Sequence, residues 1–199
     1  WNPKGQEIDV NCFNNVDVII NLAGVSIAKR WTSSYKKKIL DSRIESLRCL
    51  YNAIDHNNIE INHLVSASAI GVYPSSITHF YDESNKDKEE GFLSNVVGQW
   101  EDEVDTFANL NIKVSKVRIG IVLAKNGGAL TELVKPVKLF LGSPLGTGKQ
   151  WQSWIHIEDL ASLFLYTVEK EQYGIFNGVA PNAIKQKELV KAIAKALRR

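Results

Sequence analysis

The apolar positions along the chain follow two periods that alternate. Val16-Asp17-Val18-Ile19-Ile20-Asn21-Leu22 is a short β-branched run, as expected of a strand covered on both faces. From Ser33 to about His56 the apolar residues Leu40, Ile44, Leu47, Leu50 and Ile54 recur in steps of four and three. That spacing puts them on one face of a helix, with Ser33 or Ser34 as its N-cap. His63 to Ser68 reads as the next strand, and the polar, acidic stretch Asp82 to Glu90 as a surface loop. Leu93, Val96, Val97, Trp100, Val104 and Phe107 mark a second amphipathic helix, and Ile112 to Leu123 is a long β-branched segment. Gly127-Gly128 breaks the chain before a helix through Leu139, which Pro136 kinks or ends. Gly142 to Gly148 predicts a loop. The segment Ile157 to Glu169, a short strand around Phe176, and Gln186 to Leu197 continue the alternation.

Strand and helix alternating in this way predict an α/β fold, a parallel sheet with helices on both faces. There is no internal repeat and no low-complexity linker, so residues 1–199 read as one domain, with a small substrate-side region mainly within 124–199. At 44% hydrophobic and 23% charged the composition is that of a globular protein. The formal net charge is +2 and the basic residues are scattered, which leaves no footprint for nucleic acid or a membrane surface. The run Lys36-Lys37-Lys38 reads as a solvated helix face. Cys12 and Cys49 lie far apart without a metal-ligand spacing, so no metal site is expected and reduced thiols in a cytoplasmic protein are. The chain lacks methionine, begins at Trp1-Asn2-Pro3 and stops inside a helical pattern, and it therefore reads as a fragment.

In open parallel sheets ligands sit at the carboxyl ends of the strands, and three features fall there. Asn21-Leu22-Ala23-Gly24 is either a ligand-approaching turn made of small residues or an ordinary strand exit. Ser66 and Ser68 either hydrogen-bond a ligand or pack as small residues under a helix. Arg118, inside a β-branched run, needs an anionic partner, either a structural carboxylate or a phosphate or ribose. Turning 100° per residue, Arg43 lies near the edge of the apolar face of its helix and can reach toward the sheet edge, while Lys38 faces water.

Taken together these segments resemble an atypical branch of the extended short-chain dehydrogenase/reductases, within the NAD-dependent epimerase/dehydratase family. The resemblance begins with Asp17-Val18-Ile19-Ile20-Asn21-Leu22-Ala23-Gly24, Lys29-Arg30-Trp31 and Asp41-Ser42-Arg43-Ile44-Glu45-Ser46. It continues through Ser66 to Tyr73, Arg118 to Leu123, Gly127 to Leu130, Gly142 to Gln150 and Trp154 to Leu160, in order. It implies a Rossmann-like doubly wound sheet and a dinucleotide cofactor, NADP(H) ahead of NAD(H), acting with an unassigned small-molecule substrate. By the same resemblance Leu22 and Ala23 line the adenosine side of the cofactor, and Asn21 and Gly24 shape the loop. Arg43 and Arg118 contact its polar backbone or ribose, and Ser66 and Ser68 sit near the nicotinamide. His156 and Asp159 brace the substrate side.

Two departures bear on function. The glycine-rich phosphate loop of such folds is absent, so the sheet is expected to lack its first βαβ units. The helix Phe92 to Glu101 contains neither tyrosine nor lysine, where short-chain dehydrogenases normally place a Tyr-x-x-x-Lys pair for acid/base work. Ser68 is left as the catalytic candidate. The expected function is an NAD(P)-binding oxidoreductase or sugar-nucleotide-type epimerase; the alternative is a dinucleotide-binding or redox-sensing module without turnover.

Overall fold

A computed structural model describes residues 1–144 and 146–199. Five parallel-sheet and crossover elements form the main body: β1 (Val18–Asn21), α1 (Ser33–His56), β2 (His63–Ala69), α2 (Phe92–Asp105) and β3 (Lys113–Ile119). The chain continues through β4 (Ile121–Ala124), α3 (Gly128–Lys138), β5 (Trp151–Gln152), β6 (Trp154–His156), α4 (Ile157–Glu169), β7 (Gly174–Gly178), β8 (Ile184–Lys185) and α5 (Gln186–Ala196). The central sheet has the order β1-β2-β3-β7 with every neighbouring pair parallel. Parallel order and helical crossovers define the Rossmann-like α/β class expected from the alternation.

The two-residue period of β2 divides the helices between the faces of the sheet. Ser68 and its register partner Arg118 point to the α2 side, where both meet Glu101. Val117, one residue away, points to the α4 side, and the space at Gly178 is bounded by Val117 and Leu160. The buried cluster that joins the layers includes Leu47, Leu64, Val65, Trp100, Phe107, Val117 and Phe164. Each fully buried aliphatic or aromatic side chain of this kind contributes about 1.5–3 kcal/mol. On the far side His63 Nε2 lies 2.7 Å from Ser115 Oγ. The Ser115 hydroxyl donates to the Gln172 carbonyl at 2.6 Å, so it accepts from His63, which fixes the proton on Nε2.

Helix α1 runs over the expected span, but its N-cap is Thr32, whose hydroxyl accepts from the Tyr35 amide at 3.2 Å. Its deepest early residue is Ile39 rather than Leu40, which is only partly buried. The segment Ile112 to Leu123, expected as one strand, is two. β3 belongs to the central sheet, and β4 pairs with β6 beyond its carboxyl edge. The chain changes sheets at Gly120, where a Cβ would overlap the Ser153 carbonyl oxygen and come within 2.9 Å of Val179 Cγ1. Pro136 sits inside α3, and the helix closes just after it. The Phe140 amide bonds the Val137 carbonyl and the Leu141 amide the Pro136 carbonyl, a Schellman closure with Phe140 at φ 60°. Helices α3 and α5 share a second apolar cluster of Val137, Leu189, Val190 and Ile193. Of the glycine-rich run Gly142 to Gln150, Leu145 lies outside the described residues.

Candidate functional site

The carboxyl end of β1 is a turn with a buried floor and an exposed rim. Asn21 is 3% exposed; its Oδ1 accepts from the Ala23 amide at 3.2 Å and its Nδ2 lies 3.5 Å from Ser66 Oγ. This side-chain turn bends the chain away from the sheet as soon as the ladder with β2 ends at the Asn21–Ser66 pair. Ser66 is fully buried and donates to the Ala67 carbonyl. The rim is Leu22, 65% exposed, the half-buried Ala23 and the exposed Gly24. Val25 is held from below by the Ser42 hydroxyl of α1, which accepts its amide at 3.1 Å.

Arg43 lies directly beneath this rim. A Cβ added at Gly24 would sit 3.2–3.4 Å from the Arg43 guanidinium atoms. Nη1 donates to the Ile39 carbonyl at 2.9 Å and approaches the Val25 carbonyl at 3.5 Å, and Cζ stands 4.9 Å from the centre of the Trp100 ring. Burial lowers the proton affinity of this guanidinium, against a smaller opposing influence of Tyr35. Among the described residues Arg43 forms no ion pair.

Below the carboxyl ends of β2 and β3 is a buried polar network. Glu101 on α2 takes two hydrogen bonds from Arg118, Nε to Oε1 at 2.9 Å and Nη2 to Oε2 at 2.8 Å, and a third from the Ser68 hydroxyl at 2.6 Å. Side-chain exposures of 7% for Arg118 and 10% for Glu101 make this a buried ion pair. Arg118 Nη1 donates to the Tyr73 hydroxyl at 2.9 Å, and that hydroxyl donates to Asn177 Oδ1 at 2.8 Å. Hydrogen bonding to Glu101 raises the Arg118 proton affinity further. Burial pushes the Glu101 carboxyl up, but the hydrogen bonds from Arg118 and Ser68 and the Arg118 charge outweigh it and hold it below its ordinary range.

The structure thus brings Asn21, Ser66, Leu22, Ala23, Gly24 and Arg43 to the end of β1 and ties Ser68 and Arg118 to Glu101. Of the two partners open to Arg118, carboxylate or cofactor, it has the carboxylate, with all three guanidinium nitrogens engaged. Ser68 is 3% exposed and its proton is directed at Glu101, so its hydroxyl supports a carboxylate rather than facing the rim. Glu101 itself escaped the sequence reading. It lies on the stripe Ser94, Val97, Glu101, Val104, all buried, and a carboxylate on that stripe calls for a buried cation. Tyr73 stacks on Tyr81 and also joins the network. His156 caps α4, Nδ1 accepting from the Glu158 amide at 3.3 Å.

A parallel sheet in this order, joined by helical crossovers, defines a Rossmann-like α/β protein. The chain belongs to the NAD dependent epimerase/dehydratase family, whose model matches residues 8–177. An epimerase family protein of Staphylococcus haemolyticus is 39% identical over 186 residues, 93% of this chain and 62% of the relative. One from Staphylococcus aureus (strain NCTC 8325 / PS 47) is 39% identical over 198 residues, 99% of this chain and 65% of the relative. The chain therefore spans under two thirds of the length of these curated relatives, 62% and 65%. Among solved structures, human epimerase family protein SDR39U1 with NADPH superposes with a TM-score of 0.84 at 34% identity, over 93% of this chain and 64% of that one. A nucleoside-diphosphate sugar epimerase from Corynebacterium glutamicum gives a TM-score of 0.81 at 27% identity, over 98% and 41%. These likenesses place the chain with the atypical extended short-chain dehydrogenase/reductases, on the SDR39U1-like branch. Among the described residues no helix is long and apolar enough to cross a membrane.

Proposed function

We propose that this chain binds a nicotinamide dinucleotide at the carboxyl ends of β1 and β2, NADP(H) ahead of NAD(H), as part of an oxidoreductase or sugar-nucleotide-type epimerase. The observation that carries the reading is the Leu22-Ala23-Gly24 rim, exposed at Leu22 and Gly24, braced by buried Asn21 and underlain by Arg43, which has no counter-ion among the described residues. Such a rim lets backbone approach a flat ligand closely, and the human relative solved with NADPH supports the cofactor class. When bound, the dinucleotide supplies the hydride. This chain's own residues then bind and orient: Leu22 and Ala23 cover the adenosine side, Arg43 meets its polar backbone, and Asn21 with Ser66 holds the turn in register. Ser68 and Arg118 act in this reading through Glu101, keeping α2 fixed against the strand ends, as positioning residues. A cytoplasmic setting goes with this reading, as the usual home of free thiols such as Cys12 and Cys49.

One observation favours binding without turnover. Helix α2 carries no tyrosine or lysine, and the Ser68 proton is already committed to Glu101. The test is calorimetric titration of the protein with NADPH and NADH, followed by a turnover scan over carbonyl and sugar-nucleotide substrates. Binding with NADPH the tighter ligand is expected. Failure of both dinucleotides to bind overturns the proposal, and binding without turnover across the scan selects the sensor reading.

A further inference from the structure

Among the described residues the three most exposed large apolar side chains are consecutive. Leu139, Phe140 and Leu141 are 69%, 73% and 69% exposed, so the turn that closes α3 projects from the fold instead of lining a groove. The turn itself does not call for them. Phe140 has φ 60°, a left-handed position that glycine occupies at lower conformational cost, and the closing bonds are made by backbone groups alone. The basic residues lie scattered along the sequence, but the fold gathers several beside this turn. Lys135 and Lys138 are in the last turn of α3, and Lys187, Lys191 and Lys195 recur every four residues along α5, all of them exposed. Ala194 packs on the cluster that α5 shares with α3, which puts this lysine stripe on the flank next to α3. At one end of α5 the Arg199 Cζ stands 4.5 Å from the centre of the Phe140 ring; at the other the Lys187 amide donates to the Gly148 carbonyl at 3.1 Å. Each of the two helices carries one acid, and both are engaged: Glu132 pairs with Lys135 at 2.6 Å, and Glu188 accepts the Lys185 amide at 3.0 Å. The rest of the chain holds more acids than bases, so this face is positive in a protein whose formal net charge is only +2.

A protein interface places its apolar residues at a packed centre and is poor in lysine, and a site for a partner helix is a concave groove. A projecting apolar tip flanked by lysines and an arginine has the opposite form. It matches the lipid–water interface, where apolar side chains enter the acyl boundary and basic ones meet anionic headgroups. We propose that the Leu139-Phe140-Leu141 turn and the basic flank of α5 dock this protein reversibly on an anionic lipid surface. No helix among the described residues is long and apolar enough to span a bilayer, so the attachment made by this face is peripheral. It is independent of what binds at the β1 turn.

The test is co-sedimentation of the protein with vesicles of phosphatidylcholine alone and of equimolar phosphatidylcholine and phosphatidylglycerol. Saturable binding to the anionic vesicles is expected, with little to phosphatidylcholine and a decline as salt is added. Lys191→Gln/Lys195→Gln should weaken it about fivefold for each charge removed. Lys86→Gln/Lys88→Gln takes the same charge from the acidic loop 82–90 and should leave binding unchanged, which separates the patch from net charge. Phe140→Gly should weaken binding about tenfold or more through the lost apolar tip. Its Tm should be unchanged or raised, because glycine suits the left-handed position, so a loss of binding there is not a loss of fold. Light scattering runs in parallel: self-association that Phe140→Gly abolishes, without vesicle binding, assigns the turn to a second copy of the chain and overturns the proposal. Absence of wild-type binding to the anionic vesicles, equal losses in the two lysine pairs, or undiminished binding by Phe140→Gly overturns it as well.

Discussion

Removing the Glu101 carboxylate exposes how much of the fold rests on one buried charge pair. In Glu101→Leu, Arg118 keeps its charge at 7% side-chain exposure, with the Tyr73 hydroxyl as its remaining side-chain partner. Ser68 also loses the acceptor of its 2.6 Å hydrogen bond. An uncompensated buried charge costs about 3–5 kcal/mol, and Arg118→Met, which strands the carboxylate instead, belongs in the same range. The double variant Glu101→Leu/Arg118→Met removes both charges together. It leaves mainly the Ser68 hydroxyl unsatisfied, since Tyr73 retains Asn177, for a cost of about 1–3 kcal/mol. The double variant should therefore be more stable than either single one. Urea unfolding at pH 7 reads this directly: with a slope of about 2 kcal/mol per molar, each single variant loses roughly 2 M in midpoint and the double clearly less. If the single variants fail to fold, recovery of a folded double variant shows the same coupling. Costs that simply add, making the double variant the least stable, refute the reasoning. The pH dependence has a fixed sign. The Glu101 carboxyl is held below its ordinary value of 4.5, so its contribution is complete above that value and is lost as pH falls through the folded one. The stability gap between wild type and Glu101→Gln should persist from pH 7 to 5 and close only in more acidic solution.

Three further outcomes follow from particular contacts. Burial lowers the proton affinity of His63 against a weaker opposing effect of Glu171, so its neutral form is the folded one. Its contribution is complete above the ordinary value of 6.5 and falls as the solution is acidified below it; Tm measured from pH 7.5 to 5 should decline less steeply in His63→Gln, and equal slopes would exclude His63 as the cause. Gly120→Ala forces a methyl group against the Ser153 carbonyl and Val179 and should cost about 1–3 kcal/mol or more in chemical unfolding, whereas unchanged stability would mean that the β3–β4 crossing is looser than described. Thr32→Ala removes the N-cap of α1 and should cost about 1 kcal/mol by the same assay, with Thr32→Ser close to wild type.

The long elements were legible because their packing repeats along the sequence. The steps of three and four in α1 and α2 each mark a stripe that meets the sheet, and the β-branched runs mark the strands that they cover. The crossing at Gly120 was not legible as a change of sheet: a glycine inside a β-branched run marks a bulge or a close approach without naming its partner, and Ser153 comes much later in the sequence. β5, β6 and β8 are two or three residues each, too short to establish a period. In the site, the turn at Asn21 to Gly24 announced itself through small residues after a strand. The engagement of Ser68 and Arg118 by Glu101 did not, since that carboxylate is hidden among the apolar residues of α2. Tyr73 was the hardest to read: its hydroxyl finds Asn177 across 104 positions of sequence.

Amide mapping of the protein with NADPH tests the central claim most directly. With isotope-labelled protein, saturable shifts are predicted at Leu22, Ala23, Gly24 and Val25 and at the carboxyl end of β2, with little change around His63 at the opposite end of the sheet. The absence of saturable shifts, or their clustering away from the β1 turn, would contradict the assignment of this site to a dinucleotide.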